Sequence, residues 1–100
     1  MRPDKILISR PDRIGDVILS TPCLKPLRQK YPNAVIYFLV QKHLIPILNG
    51  IEFIDEVIAL PDHDQVNVLS KMMVERKIDT VVHLHPNKVV EESAWKAQVR

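Results

Sequence analysis

The sequence predicts an α/β fold, a parallel sheet of four strands in the order 3-2-1-4 with helices on both faces. Three observations predict it. Four short segments, residues 5–9, 34–40, 56–60 and 80–84, are apolar on both faces, as strands buried between two layers must be. Segments with helical spacing separate them, so strand and helix alternate along the chain. Helical crossovers between parallel strands are right-handed, which selects that order among the alternatives.

Residues 5–9 (KILIS) are an apolar run bounded by charge, and 34–40 (AVIYFLV) is a longer run rich in β-branched and aromatic residues. Residues 56–60 (EVIAL) and 80–84 (TVVHL) repeat the pattern, closed by Pro61 and Pro86. Residues 17–31 have helical spacing. Within them Thr21-Pro22 is a second helix-start signal, which predicts a break near Ser20 with Thr21 as cap, while Pro26 is expected to cost a further helical hydrogen bond. Cys23 reads as a small buried helix residue. A short helix over 42–48 ends at Asn49-Gly50. Over 66–76, Val66, Leu69, Met72 and Met73 fall on one face, and the methionines read as core filling. The last helical stretch, 89–100, contains Trp95 and reaches Arg100 without a capping signal.

A chain of 100 residues holds one domain, spanning 1–100. Its 46% hydrophobic and 26% charged content is that of a globular core and excludes a disordered or low-complexity chain. One cysteine excludes an internal disulfide framework and Cys-rich zinc modules. No apolar run is long enough to span a bilayer, and MRPDK leads into a strand and not into a signal-peptide core, so a cytoplasmic location is expected. A formal charge of +2 does not call for nucleic acid. Its distribution is uneven: residues 1–31 hold seven basic and three acidic side chains. That end is the candidate for meeting an anion, although Lys25, Arg28 and Lys30 also fit a merely solvated helix face.

In such a sheet ligands bind beyond the carboxyl ends of the strands where the strand order reverses, here between strands one and four. The loops that meet there are 10–16 and 85–88. In the first, Gly15 permits a tight turn or a close approach to a ligand, and the helix that follows offers unpaired N–H groups. Arg10 and Arg13 flank it with forked donors suited to carboxylate or phosphate. Asp16 is either a helix N-cap partnered by these arginines or a working carboxylate. The helix start and the guanidiniums both favour its ionised form, a competent base for a hydroxyl whose proton leaves late. Neither G-x-G-x-x-G nor G-x-x-x-x-G-K-[ST] is present, which disfavours nicotinamide and P-loop enzymes. In the second loop, His83 and His85 are spaced to share one side of a strand. They serve as acceptor contacts or as ordinary hydrogen-bonded histidines; two ligands do not make a metal site, and Asp62-His63-Asp64 follows the strand at the other edge. Asn87 and Lys88 either reach an anionic sugar or cap the next helix.

The segment R-P-D-R-I-G-D-V-I-L-S-T-P-x-L-x-x-L-R-x-x-Y-P, from Arg10, resembles the N-terminal signature of the ADP-heptose:lipopolysaccharide heptosyltransferases, glycosyltransferase family nine. The likeness continues through AVIYFLV, FIDEVIALP at 53–61 and DTVVHLHPNK at 79–88, nearly the whole chain. It implies the Rossmann-like N-terminal half of a two-domain B-type glycosyltransferase, the half that receives the acceptor. The half that binds the ADP-sugar lies outside these residues. The resemblance places the family's proposed general base on Asp16. It makes Arg10, Arg13 and the backbone at Gly15 binders of an anionic acceptor, an acidic sugar or phosphate of the lipopolysaccharide inner core, with His83, His85, Asn87 and Lys88 beside them. It implies a metal-independent inverting transfer without a cofactor, and peripheral association with the inner membrane. Where many members carry Asp-Leu-x-Gly after the fourth strand, this chain has His83-Leu84-His85-Pro86.

Three functions remain open on the residues: this transfer, another B-type nucleotide-sugar enzyme such as an epimerase or a different glycosyltransferase, and a non-enzymatic Rossmann-like module that binds an anion or partner through Arg10 and Arg13. With a B-type half continuing its sheet past strand four, the isolated chain is expected to expose that strand, self-associate and lack transfer activity.

Overall fold

The computed structural model describes residues 4–9, 22, 24–48, 51, 53–84 and 87–98. Among them the chain forms β1 (Lys5–Ser9), α1 (Leu24–Lys30), β2 (Val35–Val40), a 3-10 turn (Lys42–Leu44) leading into α2 (Ile45–Leu48), β3 (Glu56–Ala59), α3 (Gln65–Glu75), β4 (Thr80–His83) and α4 (Lys88–Lys96). The four strands make one sheet in the order β3-β2-β1-β4, every pair parallel, as the alternation predicts. β1 is central, with Ile6 opposite both Ile36 and Thr80.

Strand alternation divides the core into two layers. Ile6, Ile8, Ile36, Phe38 and Val40 pack against Leu24, Leu44 and Leu48 of α1, the 3-10 turn and α2. Leu7, Tyr37, Leu39 and Ile58 pack on the other face against Leu69 and Met73 of α3 and Val90 and Ala94 of α4. Met72 lies at the margin of that second layer, so both methionines fill the core. β1 and β2 are buried along almost their whole length, whereas β4, at the sheet edge, is half-buried and ends at an exposed His83. β3 and β4 stop one residue earlier than the apolar runs, yet Leu60 N–H still donates to Val40 and Leu84 N–H to Ser9, so the ladder extends by one bond at each place.

Two helix expectations are corrected. Pro26 is the third residue of α1, in the first turn, where an α-helix leaves its N–H groups unpaired in any case. It therefore removes no helical bond. The final helix does not run to Arg100 but ends at Lys96, where Gln98 takes a left-handed backbone (φ 62°). α3 ends in the same way. Lys77 is left-handed (φ 56°), its N–H donates to Val74 O, and Ile78 N–H reaches back to Met73 O. Ile78 and Met73 share the second core layer. This is the Schellman arrangement, built on lysine where glycine is usual.

Polar clamps hold the amino ends of the strands. Asp55 Oδ2 accepts from the Ile36 amide and from Arg28 Nη2, each at 2.7 Å, while the Arg28 guanidinium also donates to the carbonyls of Ala34 and Phe53. Arg28 thus ties α1 to β2 and β3 and is not a solvated side chain; Lys25 and Lys30 are exposed. Asp79 Oδ2 accepts from the amides of Asp4 and Lys5 at 2.8 and 2.9 Å, fastening β4 to β1. Burial works to raise both carboxyl pKa values. The Ile36 amide and Arg28 hold Asp55 below the ordinary carboxylate value nonetheless, and the Asp4 and Lys5 amides with the Thr80 hydroxyl do the same for Asp79.

Candidate functional site

The order β3-β2-β1-β4 reverses between β1 and β4, so the crevice outside their carboxyl ends is the position where this architecture receives ligands. Ser9, the last residue of β1, pairs with His83, the last residue of β4. Asn87 and Lys88 follow at the start of α4, at the same end of the sheet. Asp16, Arg10, Arg13, Gly15 and His85 lie outside the described residues, as do Thr21 and Cys23. β1 delivers the chain into 10–16 at the carboxyl end.

Asn87 is the cap of α4. Its backbone is extended (φ −141°, ψ 118°) and its Oδ1 accepts from Val90 N–H at 3.2 Å. Of the two roles open to it in sequence, the structure assigns the capping one. Lys88 is the first helical residue and exposed; His83 is exposed and on the same face as Ser9 by register. These two are the expected acceptor contacts that the described residues bring to the crevice with side chains in reach of solvent.

Ser9 was not among the expected site residues. It is fully buried, and its hydroxyl has no hydrogen-bond partner among the described residues. The signal in sequence was present: a serine closing an otherwise apolar strand is a polar choice at a position the sheet buries.

A cleft of about 250 Å³ lies beyond the carboxyl ends of β2 and β3, lined by Lys42, His43, Asp62 and Gln65 among others. Lys42 Nζ stands 3.7 Å from Asp62 Oδ2, an exposed pair of little energetic weight. A larger one, about 410 Å³ and lined by Ile45, Leu48, Ile51 and Ile54, opens beside α2 and the amino end of β3, away from the switch point. Among the described residues no three His, Cys, Asp or Glu side chains gather as a metal site would need, and no helix is long and apolar enough to cross a membrane.

No family model matches the chain, and no curated protein matches it. Among solved structures, the chain is similar to the glycosyl transferase family 9 protein from Veillonella parvula DSM 2008, at 30% identity and a TM-score of 0.84 over 99% of its own length. It spans 31% of the length of that protein. In sequence and in fold, this chain is therefore similar to a glycosyltransferase of family nine, the family that its first loop and helix resemble.

Proposed function

We propose that the chain is the acceptor-binding half of an inverting glycosyltransferase that moves heptose from an ADP-sugar to an anionic acceptor of the lipopolysaccharide inner core. The observation that carries this reading is the likeness to a family nine protein along nearly the whole chain, in a sheet whose switch point lies where β1 ends at Ser9, seven residues before Asp16 in sequence. In this reading Asp16 takes the proton from the acceptor hydroxyl as its oxygen attacks the anomeric carbon of the donor. The bond from that carbon to the diphosphate breaks, and ADP leaves with the electron pair. Arg10 and Arg13 hold the acceptor's negative charge, and Gly15 lets the backbone come close. The work is cytoplasmic, at the inner membrane face; fractionation of cells at low and high salt checks this, with release from membranes by salt expected.

The test is Asp16→Asn in the enzyme together with its donor-binding half. Loss of a positioned general base lowers turnover by about 10²- to 10⁴-fold. Steady-state ADP release with acceptor present should fall by that factor while acceptor affinity changes little. Turnover near that of the wild type would remove Asp16 from the chemistry.

A further inference from the structure

We propose that the outer edge of β4 is a dimerisation surface, on which a second copy of this chain lays its own β4 antiparallel, Val81 opposite Val81 about a two-fold axis. The inference is independent of the transfer reading above. It rests on an open strand edge, on charge, and on one exposed tryptophan.

β4 stands at the end of the sheet, with β1 on one side of it. Ile6 lies opposite Thr80, and Leu84 N–H donates to Ser9 O, so the even-numbered residues of β4 turn their backbone groups to β1. The N–H and C=O groups of Val81 and His83 therefore point outward. Among the described residues no strand takes them. Proteins usually guard such an edge with charge or proline. β3, at the opposite edge, has both: Glu56 opens it, tied to Arg76 at 2.7 Å, and Pro61 follows its end. Thr80, Val81 and Val82 offer neither guard.

A strand edge run antiparallel to itself is self-complementary, as a two-fold contact requires. Two registers satisfy the outward groups. Centred on Val82, the pairing sets each His83 opposite an apolar Val81. Centred on Val81, it sets Thr80 opposite Val82 and each exposed His83 opposite an exposed Asp79. The bonds of Asp79 go to two amides and a hydroxyl, which leave its negative charge in place. Directly opposed residues stand about 4.5–5.5 Å apart between Cβ atoms, close enough for opposite charges to favour the pair. Charge complementarity thus selects the register centred on Val81.

Trp95 lies on the same side of the molecule and is 86% exposed. Val90 and Ala94 rest on the sheet, while Ser93 donates to Val66 O at 3.4 Å and Lys96 to Asn67, so that flank of α4 meets α3. Trp95 is about 200° round the helix from Ser93, on the flank turned away from α3. The bond from Arg76 to Glu56 holds the end of α3 to β3, which leaves the free flank of α4 facing the β4 side. In the joined sheet both α4 helices lie on one face with these flanks toward each other, and Trp95 gains an apolar covering.

Sedimentation of the full chain from about 10 μM to about 1 mM should show a weak monomer–dimer equilibrium, since so small a contact belongs to the low end of stable interfaces. Trp95 is the one tryptophan of the chain, so its emission should move to shorter wavelength as the dimer forms. Val81→Pro removes an outward N–H and no bond to β1, and should give a folded monomer across the range. If that variant does not fold, His83 decides. His83→Asp sets two carboxylates opposite Asp79 and should associate about tenfold more weakly than His83→Lys. A monomer at every concentration, which would leave the edge to a strand of some other polypeptide, overturns the proposal. So does open-ended assembly beyond a dimer, a folded Val81→Pro that still associates, equal constants for the two His83 variants, or unshifted tryptophan emission.

Discussion

The two ends of the sheet are built from different materials. At the amino end polar groups close on one another: Arg28 and Asp55 spend their atoms on each other, on the Ile36 amide and on three carbonyls, and Asp79 takes the amides of Asp4 and Lys5. At the carboxyl end of β1 and β4 fewer groups are committed, Asn87 as a helix cap being one that is. His83 and Lys88 are exposed, and Ser9 Oγ is buried without a hydrogen-bond partner among the described residues. An end whose hydrogen bonds close on themselves contributes stability, and an end with donors to spare can contribute binding.

That contrast breaks or sharpens under mutation. On the proposed acceptor reading the largest effect is expected in the segment that follows β1 in sequence: replacing Arg10 and Arg13 together by Ala should weaken acceptor binding at least about tenfold and flatten its salt dependence, with the melting temperature unchanged. Titrations at low and high ionic strength, beside a melt, check this; a drop in stability equal to the loss of binding would erase the distinction. Next is Asp55→Ala at the amino end. It leaves the half-buried Arg28 and the Ile36 amide without their acceptor, and should cost about 1–3 kcal/mol in urea unfolding. Anion binding at the other end should not change.

A smaller effect, of opposite sign, is expected from Lys77→Gly. The left-handed backbone at the end of α3 is strained for lysine and free for glycine, so the substitution should stabilise by about 1 kcal/mol in the same assay. The smallest concerns acid. Asp55 and Asp79 hold their carboxylates to lower pH than an unfolded chain does, so between the unfolded and folded pKa values the unfolded state binds more protons. Their contribution is present above about pH 4 and is lost as pH falls through the folded values. Urea midpoints at pH 5 and pH 3 should therefore fall less in Asp79→Asn than in the wild type.

The sheet was legible because its signal is redundant. Each strand has an apolar centre and helical segments separate the strands, and right-handed crossovers then favour the order observed. The amino-end clamps were not legible. Arg28 looks like its neighbours Lys25 and Lys30, and only the fold brings Asp55, 27 residues away, to its guanidinium. The end of α4 was missed for a related reason: glutamine occupies the left-handed position where glycine would have announced a stop. Of the candidate site, Asn87 was read with both its roles open, and geometry settled the capping one. Ser9 was passed over because one hydroxyl in an apolar strand carries no periodicity.

The central position of β1 also bears on how the chain acquires its shape. β1 is flanked on both sides, and its second neighbour, β4, is 74 residues further along, with Thr80 meeting Ile6. At about 5–20 residues per second, a ribosome needs roughly 4–15 s to supply it. Throughout that interval the β1 edge that will receive Thr80 to His83 is an open ladder, and closing so long a loop must precede the reward of pairing. Docking of β4, fastened by Asp79 onto the amides of Asp4 and Lys5, is thus expected late in folding, and other pairing partners have those seconds in which to compete.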